Sequence, residues 1–288
     1  MSSPISINFI MPWFKSFMSQ STSISNTAPK FACFLTVRTG STRLPQKTLL
    51  PIQGKRLIEH VIERMKLLRE VDQIILCTST EPSDDILETI ARENNIAVFR
   101  GSLRDKVARW LGAVDKFSLD YFVTVDAADD IFCDPELIDL AVRQMKAEPC
   151  DYLKIPDDLV CGGSAPVISG AALRRVCEIK DTDKVENYAP FFLDTGLFKV
   201  REIMVKDETF HNKNVRLTLD YQEDFDFFSR IFAELGMSTN TTPLRKILQL
   251  LNEKPELNKI NFHRHQDYLT NQKRITNLIL KKDSNSKG

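Results

Sequence analysis

This 288-residue chain lacks a net charge, with 39 acidic residues balancing 39 basic ones. The balance excludes a global field that would pull the chain towards nucleic acid or an anionic membrane, so basic groups count only where they cluster. Neither a GxxxxGK[ST] phosphate loop nor a GxGxxG dinucleotide turn occurs, which removes the two common glycine-rich nucleotide cradles. The six cysteines form no CxxC pair and there are only four histidines, a poor donor set for structural zinc. Scattered spacing, with Cys33 and Cys77 inside apolar runs, predicts free, mostly buried thiols of a reducing, cytoplasmic compartment. No apolar run is long enough to span a bilayer.

Residues 1–29 are Ser-rich, hold one basic residue, Lys15, and are broken by Pro12. They lack the basic start and continuous apolar core of a secretory signal and read as a disordered extension. The other reading is a weak membrane-surface anchor through Phe9, Ile10, Trp13 and Phe14. From Lys30, uninterrupted apolar segments alternate with amphipathic ones. Strands are expected at 31–37, 71–79, 96–101 and 120–126, and helices at 56–68, 83–95, 103–117 and 134–148. Ser83 is the expected cap of the second helix; Asp134 and Pro135 are the expected start of the fourth. This alternation predicts an α/β fold with a mostly parallel sheet covered by helices on both faces. Further strands are expected at 151–156 and 165–169, and helices at 170–179, 220–235 and within 243–261. The division is an extension over 1–29, one domain over 30–261, and a basic, partly helical tail over 262–288.

One stretch concentrates the chemistry. "VRTGSTRLPQK" places Arg38, Arg43 and Lys47 around a Gly40-Ser41-Thr42 turn directly after the first strand. Ligands of open α/β sheets sit beyond the carboxyl ends of the strands. A glycine turn there lets backbone N–H groups approach an anion. Two arginine forks and a lysine point charge suit a triphosphate.

The stretch "VRTGSTRLPQKTLLPIQGKRLIEHVIERM" resembles the opening of the cytidylyltransferases of surface-polysaccharide synthesis. These include CMP-KDO and CMP-sialate synthetases, and the resemblance is strongest to the spore-coat polysaccharide biosynthesis protein F family. It continues through "LCTST", "FRGSLRDKVARW", "DDIFCDPELID", "VENYAPFF", "RLTLDYQEDFDF" and "EKPELNKIN", over roughly 31–261. It implies a glycosyltransferase-A-like Rossmann variant that transfers CMP from CTP to a sugar or similar small acceptor, with Mg²⁺ as cofactor and pyrophosphate released; a homodimer is a possible state. By position it puts the metal on Asp129 and Asp220. Arg38, Arg43 and Lys47 would hold the β and γ phosphates, with Gly40 and Ser41 in the turn. Ser79 and Asp105 are nucleoside-contact candidates, set against ordinary turn and helix-cap roles. Asp220 also reads as a helix cap, and Asp224 as a residue on the solvated or packing face of the helix that follows.

The departures fall on the acceptor side. Ala128-Asp129-Asp130-Ile131 stands where the family often has Gly-Asp-x-Pro, Val125 replaces a common arginine, Pro166 replaces a glutamate, and Lys184-Val185-Glu186-Asn187 replaces "REHV". A phosphorylated alcohol or a phosphonate is therefore an open acceptor beside a sugar. A non-catalytic nucleotide- or glycan-binding homologue is the competing class. His60 reads as packing or surface, and His211 as a loop residue within possible reach of an acceptor. Trp110 and Phe117 read as core.

Overall fold

The computed structural model describes residues 28–41, 43–276 and 278–281; the extension expected over 1–29 lies almost wholly outside the described residues. In chain order the strands are β1 (Phe31–Thr36), β2 (Pro51–Ile52), β3 (Lys55–Arg56), β4 (Gln73–Ser79), β5 (Ala97–Gly101), β6 (Tyr121–Asp126), β7 (Tyr152–Lys154), β8 (Val167–Ser169) and β9 (Val200–Glu202). The helices are α1 (Leu57–Met65), α2 (Asp85–Glu93), α3 (Lys106–Phe117), α4 (Pro135–Ala147), α5 (Gly170–Ile179), α6 (Ala189–Leu193), α7 (Gln222–Glu234), α8 (Leu244–Glu253) and α9 (His265–Ile275).

Seven strands form one sheet in the order β5-β4-β1-β6-β8-β7-β9, and β2 pairs with β3 in a small separate ribbon. The run β5-β4-β1-β6 is parallel, β8 runs against both its neighbours, and β7 pairs parallel with β9. All six residues of β1 are buried. Phe31, Cys33 and Leu35 face one core with α1, α2, α4, α7 and α8, whereas Ala32 and Phe34 face the other with α3 and α5. Burial on both faces explains why this strand carries no polar alternation. The six cysteines are free thiols, and Trp110 belongs to the second core. Among the described residues no helix is long and apolar enough to cross a membrane.

Helix starts follow local chemistry. Asp134 accepts from Glu136 N at 2.8 Å and Leu137 N at 3.3 Å, with Pro135 next. Ser83 does not cap the helix expected at 83–95. A 3₁₀ turn over Pro82–Asp84 precedes α2, because the Asp84 carboxylate turns inward to hold Thr39 and the end of β4. The segment read as a tail folds back as a 3₁₀ turn, Phe262–Arg264, and α9, whose residues line the same cleft as the β1 turn.

Candidate active site

A cleft of about 480 Å³ opens at the carboxyl ends of β1 and β6. The turn after β1 forms one wall. Asp84 anchors it, accepting from Thr39 N at 2.8 Å and Thr39 Oγ1 at 2.7 Å on one oxygen, and from Thr78 Oγ1 at 3.0 Å on the other. Burial opposes ionisation of Asp84, yet the hydrogen bonds from Ser79 and Thr39 hold its carboxyl below the usual range. A Cβ on Gly40 would meet no atom within 4 Å, and the backbone there is not left-handed. The fold does not demand this glycine; its missing side chain keeps the cleft wall open. Gln46 takes a left-handed backbone, φ 52°, and turns the chain so that Lys47 enters a 3₁₀ turn with its side chain inside.

Each of the three cations is already paired within the protein. Arg38 donates to Leu103 O at 2.5 Å and to Glu186 Oε1 at 2.8 Å. Arg43 pairs with Asp220 Oδ1. Lys47, only 6% exposed, donates to Leu219 O at 2.6 Å, pairs with Asp129 Oδ1, and lies 3.8 Å from Asp220 Oδ1. The two aspartates, remote in sequence, thus meet at one ammonium. The backbone enforces this, since Leu219 N donates to Asp129 O at 2.9 Å. Asp220 does not cap α7. Its second oxygen accepts from Arg216 Nη2 at 2.8 Å.

The electrostatics are unequal. Burial and the Asp220 and Asp126 carboxylates push Asp129 up to about 6, against the pull of Lys47. Burial opposes ionisation of Asp220 too, but Lys47, Arg43 and Arg216 hold its carboxyl low. Burial and the carboxylates of Asp126, Asp129 and Asp220 push Asp130 well up. Carboxylates crowded this closely would suit a hard cation wherever Lys47 or Arg43 turned to another partner. Among the described residues no group of three or more His, Cys, Asp or Glu converges on one point. Two carboxylates are compatible with Mg²⁺, which usually completes its octahedron with phosphate oxygens and water.

A carboxyl whose pKa is higher folded than unfolded favours the fold only while protonated. That contribution is full below about pH 4 and is lost as the pH rises through 6. Asp129→Asn should therefore stabilise the ligand-free protein at pH 7.5 by about 1–2 kcal/mol, after discounting for the partial exposure of the side chain. The melting temperature should rise by roughly 2–6 °C. At pH 4.5 the gain should be much smaller. A lower melting temperature at pH 7.5 would show that the pair with Lys47 outweighs the charge crowding.

Of the residues singled out in the sequence, Arg38, Gly40, Ser41, Arg43, Lys47 and Asp129 line the cleft, and Asp220 stands behind Arg43 and Lys47. Ser79 and Asp105 do not line it. Ser79 is fully buried and its hydroxyl donates to Asp84 Oδ2 at 2.5 Å. Asp105 caps α3 through Ala108 N at 3.0 Å and binds Lys180 Nζ at 2.6 Å, so the helix-cap role holds. His211 lies between Asp158 and Val205 O, away from the cleft. His60 packs edge-on against Phe232. Asp224 is fully buried, accepting from Arg216, Asn261 and the backbone N–H groups of Asp220 and Tyr221. Sequence reasoning missed Lys106, Arg109, Tyr268 and Arg274 as cleft residues. The first two sit on an ordinary amphipathic helix pattern, and the last two on a segment with almost no apolar period.

A sequence profile described as cytidylyltransferase matches residues 32–275. The chain is 25% identical over 228 residues to the spore coat polysaccharide biosynthesis protein SpsF of Bacillus subtilis, covering 76% of this chain and 92% of that one. It is 25% identical over 221 residues to the 8-amino-3,8-dideoxy-manno-octulosonate cytidylyltransferase of Shewanella frigidimarina, covering 76% and 72%. A solved cytidylyltransferase structure from Leptospira borgpetersenii superposes with a TM-score of 0.72 at 22% identity, over 80% of this chain and 96% of that one, and so shares the fold.

Proposed function

Since the chain belongs to the cytidylyltransferase family, we propose that this cleft transfers CMP from CTP to a sugar-like acceptor of surface-glycan synthesis. The observation that carries this reading is the meeting of Asp129 and Asp220 at Lys47 Nζ, beside the open Gly40 turn. Relatives named for polysaccharide synthesis and for an octulosonate support the acceptor class.

The charge pattern suggests an exchange of partners. Without ligand, Arg43 and Lys47 neutralise the two aspartates. A triphosphate entering at the turn offers oxygens to these cations and frees the carboxylates. Asp129 and Asp220 would then hold Mg²⁺, which when bound neutralises phosphate charge. Arg43 and Lys47 orient the β and γ groups, and the acceptor oxygen attacks the α-phosphorus in line as pyrophosphate leaves. Catalysis rests on positioning and electrostatic stabilisation.

The test is pyrophosphate release from CTP against a panel of acidic sugars, phosphorylated alcohols and phosphonates. Acceptor-dependent release with Mg²⁺ is expected for one class. Tight CTP binding with no release from any acceptor would favour the non-catalytic nucleotide-binding reading.

A further inference from the structure

Helix α9 contains no buried residue, yet it walls the cleft. A polar helix that buries so little is held by side-chain anchors rather than by packing. Ahead of it, Arg264 donates to Glu223 Oε1 at 3.1 and 2.8 Å and lies 5.0 Å over the Tyr221 ring. Behind it, Asn187 Nδ2 donates to Thr276 Oγ1 at 2.6 Å, and Lys281 N donates to Ile179 O at 2.8 Å. The segment is a strap tied at both ends across the cleft, with a half-buried face at His265, Tyr268, Asn271, Gln272 and Ile275 between the ties.

Between the ties, Tyr268 makes one contact with consequences. Its ring centre lies 4.7 Å from the guanidinium carbon of Arg216. Arg216 is fully buried, donating through Nη2 to Asp220 Oδ2 at 2.8 Å and through Nε to Asp224 Oδ1 at 3.1 Å. Its Nη1 has no hydrogen-bond partner. An unpaired N–H on a buried cation is costly, and an aromatic face is the surface that accepts it best after an oxygen.

We infer that Tyr268 is a positioning residue for the reaction. With the strap down, its ring fixes the Arg216 fork. The fork holds Asp220 Oδ2, which leaves Oδ1 aimed at Lys47, Arg43 and the incoming magnesium triphosphate. The inference rests on the assignment of Asp220 to the metal. Linkage makes the effect reciprocal: if the closed strap favours magnesium–CTP, then magnesium–CTP favours the closed strap.

The test uses the full chain and titrates CTP calorimetrically with Mg²⁺ and with EDTA. Tyr268→Phe keeps the ring and should retain the wild-type gain in affinity from Mg²⁺. Tyr268→Leu keeps apolar bulk without a ring and should lose about tenfold of that gain, about 1.4 kcal/mol, beyond any loss of CTP affinity it shows in EDTA. Tyr268→Ala should match Tyr268→Leu; if it does not fold, the leucine variant carries the test. Amide hydrogen exchange in 265–275 should slow on adding magnesium–CTP to the wild type and not to Tyr268→Leu. A wild-type magnesium gain in Tyr268→Leu, or equal losses with and without Mg²⁺, overturns the inference. Asp220→Asn separates the two readings. If it keeps the magnesium gain, the metal assignment itself fails; if it loses the gain while Tyr268→Leu does not, only the role of Tyr268 fails.

Discussion

Asp129→Asn and Asp220→Asn should each suppress turnover by roughly 10²–10³-fold, the scale of removing one preorganised charge-stabilising group. The two side chains share Lys47 and are tied through the Leu219–Asp129 backbone bond. If both hold one ion, the first substitution already disables it, and the double variant should be little worse than the worse single. Groups that act as a unit are non-additive in this way. Steady-state pyrophosphate release with an accepted acceptor checks the rates, and the melting temperature checks that the fold survives. Strictly additive losses, or normal Mg²⁺ dependence in Asp129→Asn, would refute a shared site. Asp224→Asn belongs to a different class. Fully buried and accepting from Arg216 and Asn261, it should lower the melting temperature before it lowers the rate of the molecules that remain folded.

The parallel half of the fold was legible because a strand buried on both faces carries no polar alternation, and β1 is such a strand. The α4 start was legible because Asp134 and Pro135 act locally. The gathering of three cations around a glycine at one cleft was legible, but their ligand-free pairing was not. No sequence pattern says that Lys47 turns inward or that Arg43 already holds Asp220. Ser83 was read as a cap from its place in the chain, whereas the start of α2 and the Ser79 hydroxyl are governed by the inward Asp84 carboxylate. The helix-cap role of Asp105 was legible because it acts on its near neighbour Ala108. The strap was set apart as a tail because its sequence is basic and only partly helical; polar anchors such as Arg264 and Thr276 tie it to the domain.

Lys47→Met should be the most damaging single change in the cradle. Methionine keeps most of the volume and removes the charge, leaving Asp129, Asp220 and Leu219 O without the ammonium that joins them. Breaking a buried pair by removing one partner costs about 3–5 kcal/mol, largely for the charge left behind. Here Arg43 and Arg216 still serve Asp220, so the loss should sit near the lower bound and show as a fall of several degrees in melting temperature in EDTA. Mg²⁺ should recover part of that fall, because a divalent cation between the two carboxylates replaces the missing charge. CTP affinity should still drop by tenfold or more, since the phosphates lose a buried donor. Arg43→Ala should be milder on stability, because Asp220 keeps Arg216 and the Arg43 side chain is one-third exposed. Its effect on CTP affinity should be about 1.5–3 kcal/mol, the range for a hydrogen bond to a charged group. Thermal unfolding with and without Mg²⁺, followed by CTP titration, measures all of these. Unchanged CTP affinity in both variants would remove the cradle from the nucleotide. A Lys47→Met protein whose stability ignores Mg²⁺ would mean that the two carboxylates do not take a metal in place of the ammonium.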